Sequence, residues 1–204
     1  MLENERILLK HSNIPIVIAA GGKGCRIGGG KPFLILDGIS LIDRSLDRVS
    51  RWSSDVAVAL QEAPSQTLRA DIELLVDHEK NQGPLSALSN ALCYAQKKKS
   101  SHVLLIPCDM PFLPDDLLQR LEQEIGASQV AMARSNGQIH PICALWSTNI
   151  TNQITAYAET GRRSLIGLAD TMQVEFIDWT GADPDPFFNI NTPEDMKQAQ
   201  SYFC

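Results

Sequence analysis

The chain lacks the features that mark membrane proteins, secreted proteins and thiolate-bound metal sites. Its five cysteines are odd in number and include no Cys-x-x-Cys pair, which indicates a reducing compartment and no structural metal. No apolar run approaches the roughly 18 residues of a membrane span, and residues 1–6 are too acidic for a signal peptide. We therefore predict a cytoplasmic protein that does not bind membranes.

Basic residues and histidines are also scarce. The 18 Lys and Arg are outnumbered by 24 Asp and Glu, and the net charge of −6 argues against nucleic acid as a partner. A small anionic substrate needs only a local cluster of cations and is not excluded. The four histidines include no evident nucleophile–base pair. The length fits a single domain over residues 1–204, with residues 1–13 as an N-terminal extension.

Short apolar runs alternate with helical patterns along the chain. We predict strands at Ile14–Ala20, Val56–Leu60, Ile72–Val76, His102–Ile106, Val130–Ala133, Ile139–Trp146 and Val174–Ile177. We predict helices at Leu41–Trp52, Leu85–Gln96, Pro114–Ile125, Thr148–Glu159, Arg163–Asp170 and Pro193–Tyr202. Ser40 and Thr192 are expected to cap the first and last helices. Continuous apolar strands are typical of buried parallel sheets, so we predict an α/β fold: a three-layer α/β/α, Rossmann-like domain with a mostly parallel sheet.

A glycine-rich loop, residues 19–32, follows the first predicted strand. Six of its fourteen residues are Gly, and three cations are interleaved with them. Glycine lets a backbone close around phosphate oxygens, so the loop is typical of a nucleotide-phosphate cradle. It is not a P-loop, because Lys31 is followed by Pro32, and it is not a dinucleotide fingerprint, because Ile27 replaces the third Gly. A flexible surface loop is the alternative.

Two carboxylates follow predicted strands at the edge of the sheet where ligands bind. Asp109 is bracketed by prolines that stiffen its turn, and a fixed carboxylate near phosphates is typical of a Mg²⁺ site. The alternative for Asp109 is a turn or capping role. Asp77 precedes Gly83-Pro84, which is expected to begin a helix. Asp77 could accept hydrogen bonds from guanine N1 and N2, or it could cap the turn.

Together with two C-terminal segments, these motifs resemble the molybdenum cofactor guanylyltransferases. The resemblance runs from about residue 14 to residue 200, and its segments, in order, are Gly21-Gly22-x-x-x-Arg26-Ile27-Gly28-x-x-Lys31, Asp77 with Gly83-Pro84-Leu85, Pro107-Cys108-Asp109-Met110-Pro111, Gly137-Gln138-Ile139-His140-Pro141 and Asn189-Ile190-Asn191-Thr192-Pro193-Glu194. It implies a nucleotidyltransferase that moves GMP from Mg-GTP onto the terminal phosphate of molybdopterin. Pyrophosphate would be released and the guanine dinucleotide cofactor formed.

The resemblance also implies roles for individual residues. Arg26 and Lys31 would neutralise triphosphate charge during catalysis, and Asp109 would hold the Mg²⁺ cofactor. The residues expected to bind the nucleotide are Ala19, Ala20, Gly21, Gly22, Lys31, Asp77, Gly83, Pro84, Leu85 and Asp109. The acceptor phosphate is already anionic, so catalysis can consist of alignment and charge neutralisation.

The pterin side of the site is implied more weakly. His140, Asn189 and Asn191 would lie near the pterin substrate. The alternatives are a structural role for His140 at a strand edge and a capping role for the two asparagines before the last helix. Besides the substrates GTP and molybdopterin, the resemblance implies exchange with molybdenum cofactor biosynthesis proteins and molybdoenzyme chaperones.

Three positions depart from the family pattern. Gly30 stands where the family often has Asp, Ala59-Leu60-Gln61 where it commonly has Asn-x-Asn, and Ser86-Ala87 where it usually has Ala-Gly. These departures leave base selectivity open. One alternative is a related nucleotidyltransferase that uses CTP or another phosphorylated acceptor, against which Gly83-Pro84-Leu85 argues. The other is a non-catalytic nucleotide-binding paralogue, against which the retained phosphate and metal residues argue.

Overall fold

The computed structural model describes residues 12–21, 30–62, 68–76 and 83–203. Gly22, Arg26 and Asp77, which were predicted to belong to the site, lie outside these ranges. The strands are β1 (Ile16–Ala19), β2 (Ile35–Leu36), β3 (Ile39–Ser40), β4 (Val56–Leu60), β5 (Glu73–Val76), β6 (His102–Pro107), β7 (Val130–Ser135), β8 (Gln138–Ser147) and β9 (Val174–Trp179). The helices are α1 (Leu41–Val49), α2 (Pro84–Lys97), α3 (Leu117–Glu124), α4 (Thr151–Glu159), α5 (Leu165–Ala169) and α6 (Pro193–Ser201). Short 3₁₀ turns lie at Lys31–Phe33 and Thr148–Ile150.

Seven strands form one sheet in the order β5-β4-β1-β6-β8-β7-β9. All pairings among β5, β4, β1 and β6 are parallel, and β7 is parallel to β9. Strand β8 is antiparallel to both of its neighbours. The sheet therefore has the mostly parallel character that the continuous apolar runs predicted, with one reversed strand.

Helices cover both faces of this sheet. One core cluster joins α1 and α3 to one face, and a second cluster joins α2, α4 and α5 to the other. Ile16, Val17 and Ile18 of the interior strand β1 are fully buried, as burial on both faces requires. This is the predicted three-layer α/β/α arrangement. In the described part of the chain, no helix is both long enough and apolar enough to span a membrane.

The predicted caps are confirmed. Ser40 Oγ accepts a hydrogen bond from the Asp43 backbone N–H, which satisfies one of the unpaired donors at the start of α1. Thr192 and Asp195 form a reciprocal capping box at the start of α6. These local signals were sufficient because both ends of each interaction lie within four residues.

The prediction that α3 begins at Pro114 is wrong. The helix begins at Leu117, and Asp115 and Asp116 precede it. Asp115 instead pairs with Arg48 of α1, and Asp116 accepts a hydrogen bond from Trp179 Nε1 at 2.9 Å. These contacts with residues distant in sequence hold the two aspartates in the segment that precedes the helix.

The small hairpin of β2 and β3 was not predicted. Its turn places Asp37 and Gly38 at positive φ, and each strand has only two residues. Such short strands show no periodicity in the sequence. The division of the chain into one domain and an extension over residues 1–13 stays a prediction, although Ser12 already forms a bridge with Ser53 beside the sheet.

Candidate functional site

A cavity of about 360 Å³ lies beyond the carboxyl ends of β4, β1 and β6. The strand register brings this about, because Ala19 at the end of β1 is level with Ala59 of β4 and Pro107 of β6. Residues that follow these strands are therefore delivered to one place. The described lining consists of Ala19, Gly21, Ala59, Leu60, Gln61, Gly83, Pro84, Ala87, Pro107, Asp109, Ile142 and Asn189.

One side of the cavity is polar and contains Asp109 and Asn189. Asp109 Oδ2 forms an ion pair with Lys31 Nζ, and the same ammonium donates a hydrogen bond to Asn191 Oδ1 at 2.8 Å. The other carboxylate oxygen of Asp109 and the side-chain oxygen of Asn189 are buried and have no hydrogen-bond partner within the described part of the chain. Unpaired buried oxygens are costly, so this side of the cavity is suited to a ligand that supplies a cation or donors.

Backbone hydrogen bonds hold these residues in register. The Cys108 N–H donates to the Ala19 carbonyl at 3.2 Å, which fixes the Asp109 turn to the end of β1. The Ile190 N–H donates to the Asp109 carbonyl at 3.0 Å, which fixes the segment of the two asparagines to the same turn. The side chain of Asn191 does not cap α6. Thr192 supplies the side-chain cap, and Asn191 Oδ1 accepts a hydrogen bond from Lys31.

The backbone conformation explains why glycine stands at position 30, where the family often has Asp. The φ of +60° at Gly30 lies in the left-handed region, which an Asp side chain adopts less readily than glycine does. From this position the chain enters the 3₁₀ turn of Lys31–Phe33, with Pro32 buried. The turn brings Lys31 to Asp109.

The other side of the cavity is mostly apolar. Gly83 and Pro84 at the start of α2 lie there, as predicted, together with Ala87 of the same helix. Three other predicted nucleotide residues are not part of the described lining: Leu85 is 1% exposed within the α2 core, Ala20 is 6% exposed, and Lys31 is paired with Asp109. Their assignments as nucleotide-binding residues stay predictions.

Gln61 is a member of the cavity that sequence reasoning missed. It follows β4 directly and lies against Gly21, where a Cβ on the glycine would be 3.1 Å from Gln61 Cγ. A single glutamine after a strand forms no pattern. Only the position that the family commonly fills with Asn-x-Asn pointed to this place.

His140 does not line the cavity. It is 6% exposed, its ring stacks on Phe187 at 4.7 Å, and its Nε2 is 2.8 Å from Ser135 Oγ. Ser135 Oγ in turn donates to Asp185 Oδ2 at 3.0 Å. Burial lowers the pKa of His140, although Asp185 opposes the shift. These contacts agree with the alternative that His140 has a structural role at a strand edge. Its contact with the pterin stays a prediction.

Cys108 and Cys143, the two described thiols near the site, are poor nucleophiles. Burial raises the pKa of Cys108, and the neighbouring Asp109 raises it further. Burial also raises the pKa of Cys143, whose Sγ lies 3.5 Å from Met110 Sδ. Because the thiolate is the reactive form, both side chains act as packing groups at neutral pH.

The donor set on the polar side fits Mg²⁺ better than a softer metal. Among the described residues there is no group of three or more His, Cys, Asp or Glu side chains that could enclose an ion. The unpaired oxygens belong to one carboxylate and one amide. Oxygen ligands in small number are what Mg²⁺ takes from a protein when substrate phosphates and water complete its shell.

A three-layer α/β/α domain with a cavity at the carboxyl edge of its sheet is typical of enzymes that bind nucleotides. The family model for the MobA-like NTP transferase domain matches residues 16–174, and the chain belongs to that family. A molybdenum cofactor guanylyltransferase of Rhizobium meliloti (strain 1021) is 34% identical over 198 residues, which cover 92% of this chain and 91% of the relative.

Solved structures share the fold. A molybdopterin-guanine dinucleotide biosynthesis protein A from Archaeoglobus fulgidus has a TM-score of 0.76 at 22% identity, covering 93% of this chain and 98% of its own. A 2-C-methyl-D-erythritol 4-phosphate cytidylyltransferase from Thermus thermophilus has a TM-score of 0.69 at 18% identity, covering 93% and 98%. Since these two proteins are named for different reactions, the fold does not fix the base or the acceptor.

Proposed function

We propose that this enzyme transfers GMP from GTP to the terminal phosphate of molybdopterin and so forms the guanine dinucleotide cofactor. Molybdenum cofactor guanylyltransferases match nearly the whole chain at 31–34% identity. The observation in the structure that carries the proposal is the polar side of the cavity, where Lys31 pairs with Asp109 and donates a hydrogen bond to Asn191, and where one oxygen of Asp109 has no partner among the described residues. An anionic nucleotide with its cation would satisfy both features.

The nucleotide would lie along the carboxyl edge of the sheet. Its base would occupy the apolar side formed by Leu60, Pro84 and Ala87, and its phosphates would lie toward Asp109 and Lys31. Strand order supports this orientation, because β4 and β6 flank β1 and lie about 10 Å apart. Arg26 and Asp77 stay predictions for the phosphate and guanine ends.

In the reaction, an oxygen of the acceptor phosphate attacks the α-phosphorus of GTP. A new phosphorus–oxygen bond forms, the bond from the α-phosphorus to the bridging oxygen breaks, and pyrophosphate leaves with the electron pair. Because the acceptor is already anionic, no general base is needed. Lys31 would neutralise the charge that grows on the leaving pyrophosphate, and Asn189 and Asn191 would orient the acceptor.

Mg²⁺ is the cofactor that we propose for this site. Asp109 would hold it through the carboxylate oxygen that has no partner among the residues described, and the amide oxygen of Asn189 is a second candidate ligand. When bound, the ion would draw charge from the phosphates of GTP. Lys31 already balances the other oxygen of Asp109.

We also propose that the reaction occurs in the cytoplasm. Cys108 and Cys143 are buried free thiols, which suits a reducing compartment. Molybdopterin and its dinucleotide product would be exchanged with cofactor biosynthesis proteins and molybdoenzyme chaperones.

The proposal is tested in two steps on the purified protein. Calorimetric titration with GTP, CTP and ATP in the presence of Mg²⁺ should give the tightest binding for GTP. Incubation with GTP and molybdopterin should then release pyrophosphate in equal amount to the dinucleotide detected by mass spectrometry. A preference for CTP would support the alternative nucleotidyltransferase, and binding without pyrophosphate release would support the non-catalytic alternative.

A further inference from the structure

Gln61 occupies a defined place in the cavity. It directly follows β4, and the register of β1 with β4 makes it level with Gly21. The Ala20 N–H donates to the Ala59 carbonyl at 2.9 Å, so the two strand ends stay paired up to this point. The backbone that presents Gln61 is therefore fixed by the sheet.

The side chain of Gln61 packs against the open face of Gly21. A Cβ built on Gly21 would lie 3.1 Å from Gln61 Cγ and 3.8 Å from Cδ. The methylene groups thus rest on the glycine. Within residues 12–21, 30–62, 68–76 and 83–203, the carboxamide at the end of this side chain makes no hydrogen bond, although its residue is half-buried and lines the cavity.

Most of the other described residues that line the cavity are apolar. Of the described lining residues, the other polar side chains are Asp109 and Asn189, which belong to the side beyond β6. Ala59 and Leu60 directly precede Gln61 in the chain, and Gly83, Pro84 and Ala87 at the start of α2 line the same cavity. A flat apolar slot with a single donor–acceptor group at its edge suits a planar heterocycle that carries donors and acceptors on one edge.

We propose that Gln61 recognises the Watson–Crick edge of the purine base and selects purine over pyrimidine nucleotides, an inference that rests on the proposed function. The carboxamide N–H would donate to guanine O6, while guanine N1–H and the 2-amino group stay available to Asp77. The edge of a pyrimidine lies closer to the ribose, so cytosine in the same pose would not reach the carboxamide. Since an amide can rotate, Gln61 does not distinguish guanine from adenine.

The test is calorimetric binding of GTP, ITP and CTP with Mg²⁺ to the intact protein and to Gln61→Met. Methionine keeps the length and the packing against Gly21 and removes both hydrogen-bonding groups. The loss of neutral hydrogen bonds should weaken GTP and ITP about tenfold and leave CTP within about twofold. ITP shares O6 and N1–H with GTP and lacks only the 2-amino group. The matched control is Gln153→Met, which changes an exposed glutamine on α4 and should alter none of the three affinities.

Three results would overturn the proposal. An equal loss for GTP and CTP would move the contact to the ribose or phosphates, which both share. A loss for GTP alone would move it to the 2-amino group, and unchanged affinities would remove Gln61 from recognition. These three results can be interpreted only if the unmodified protein binds GTP more tightly than CTP. If it does not, the proposed function itself fails, and the two failures are thereby distinguished.

Discussion

Replacing Asp109 by Asn should abolish most of the activity while leaving the fold intact. Asp109 is the only charged side chain among the described residues that line the cavity. No described neighbour in the lining can therefore take over a lost carboxylate. Removal of one well-placed charged or hydrogen-bonding group typically costs 10²–10³ in rate, and we expect at least a hundredfold loss, or about 2.7 kcal/mol of transition-state stabilisation.

The expected effect of this substitution on stability is small because two contributions oppose each other. The Asp109→Asn variant would lose the ion pair with Lys31, whose side chain is 13% exposed while that of Asp109 is 16% exposed. The substitution would also relieve the cost of the buried carboxylate oxygen, for which the described residues supply no partner. Since each effect is of the order of 1 kcal/mol near a solvent-filled cleft, the melting temperature should shift by no more than about 4 °C.

The assay is pyrophosphate release from GTP and molybdopterin across a range of Mg²⁺ concentrations, with thermal unfolding measured in parallel. Asp178→Asn is the control, because it removes a carboxylate from an exposed ion pair with Arg134 at the far edge of the sheet and should retain full activity. If Asp109→Asn turned over within about fivefold of the unmodified enzyme at saturating Mg²⁺, the metal assignment would be wrong.

Three further substitutions test other parts of the structure. A Cβ at Gly167 would lie 2.5 Å from the buried Tyr157 Oη, so Gly167→Ala should lose about 1–3 kcal/mol in denaturant unfolding, and adding Tyr157→Phe should restore most of it. Burial lowers the pKa of His140 despite Asp185, so the stability that the neutral histidine contributes is present above the unfolded pKa of about 6.5 and is lost below it. His140→Gln should therefore flatten the fall in unfolding free energy between about pH 7 and pH 5. Lys31→Met should weaken GTP binding at least about tenfold in calorimetry, and unchanged affinity would contradict its phosphate role.

Local sequence signals predicted most of the elements because both partners of each signal lie close together in the chain. Val56–Leu60 is a strand with the predicted bounds, since five apolar residues in succession require burial on both faces. The cap at Ser40 was also found for this reason. The start of α3 was not, because Asp116 is hydrogen-bonded to Trp179, 63 residues away.

The site could be predicted as a set of residues but not as a set of contacts. The order of the motifs indicated that Asp109 and Lys31 belong to one site, and the strand ends were expected to converge there. That Lys31 also binds Asn191, 160 residues away, follows only from the fold. Gln61 was overlooked as a contributor because its role depends on its position beside Gly21 and on the apolar side chains around it.

Catalysis by alignment requires that the donor and acceptor sides of the site share one rigid frame. Here the frame is backbone: the Asp109 carbonyl accepts from Ile190 N–H, and Asp195 Oδ2 accepts from the N–H groups of Asn191 and Thr192 at 2.8 Å each. The capping box of α6 therefore stabilises the helix and also fixes the asparagine segment. Because the same segment is bonded to the turn that carries Asp109, a shift of the acceptor-side residues relative to the phosphate-side carboxylate would break hydrogen bonds of the fold itself.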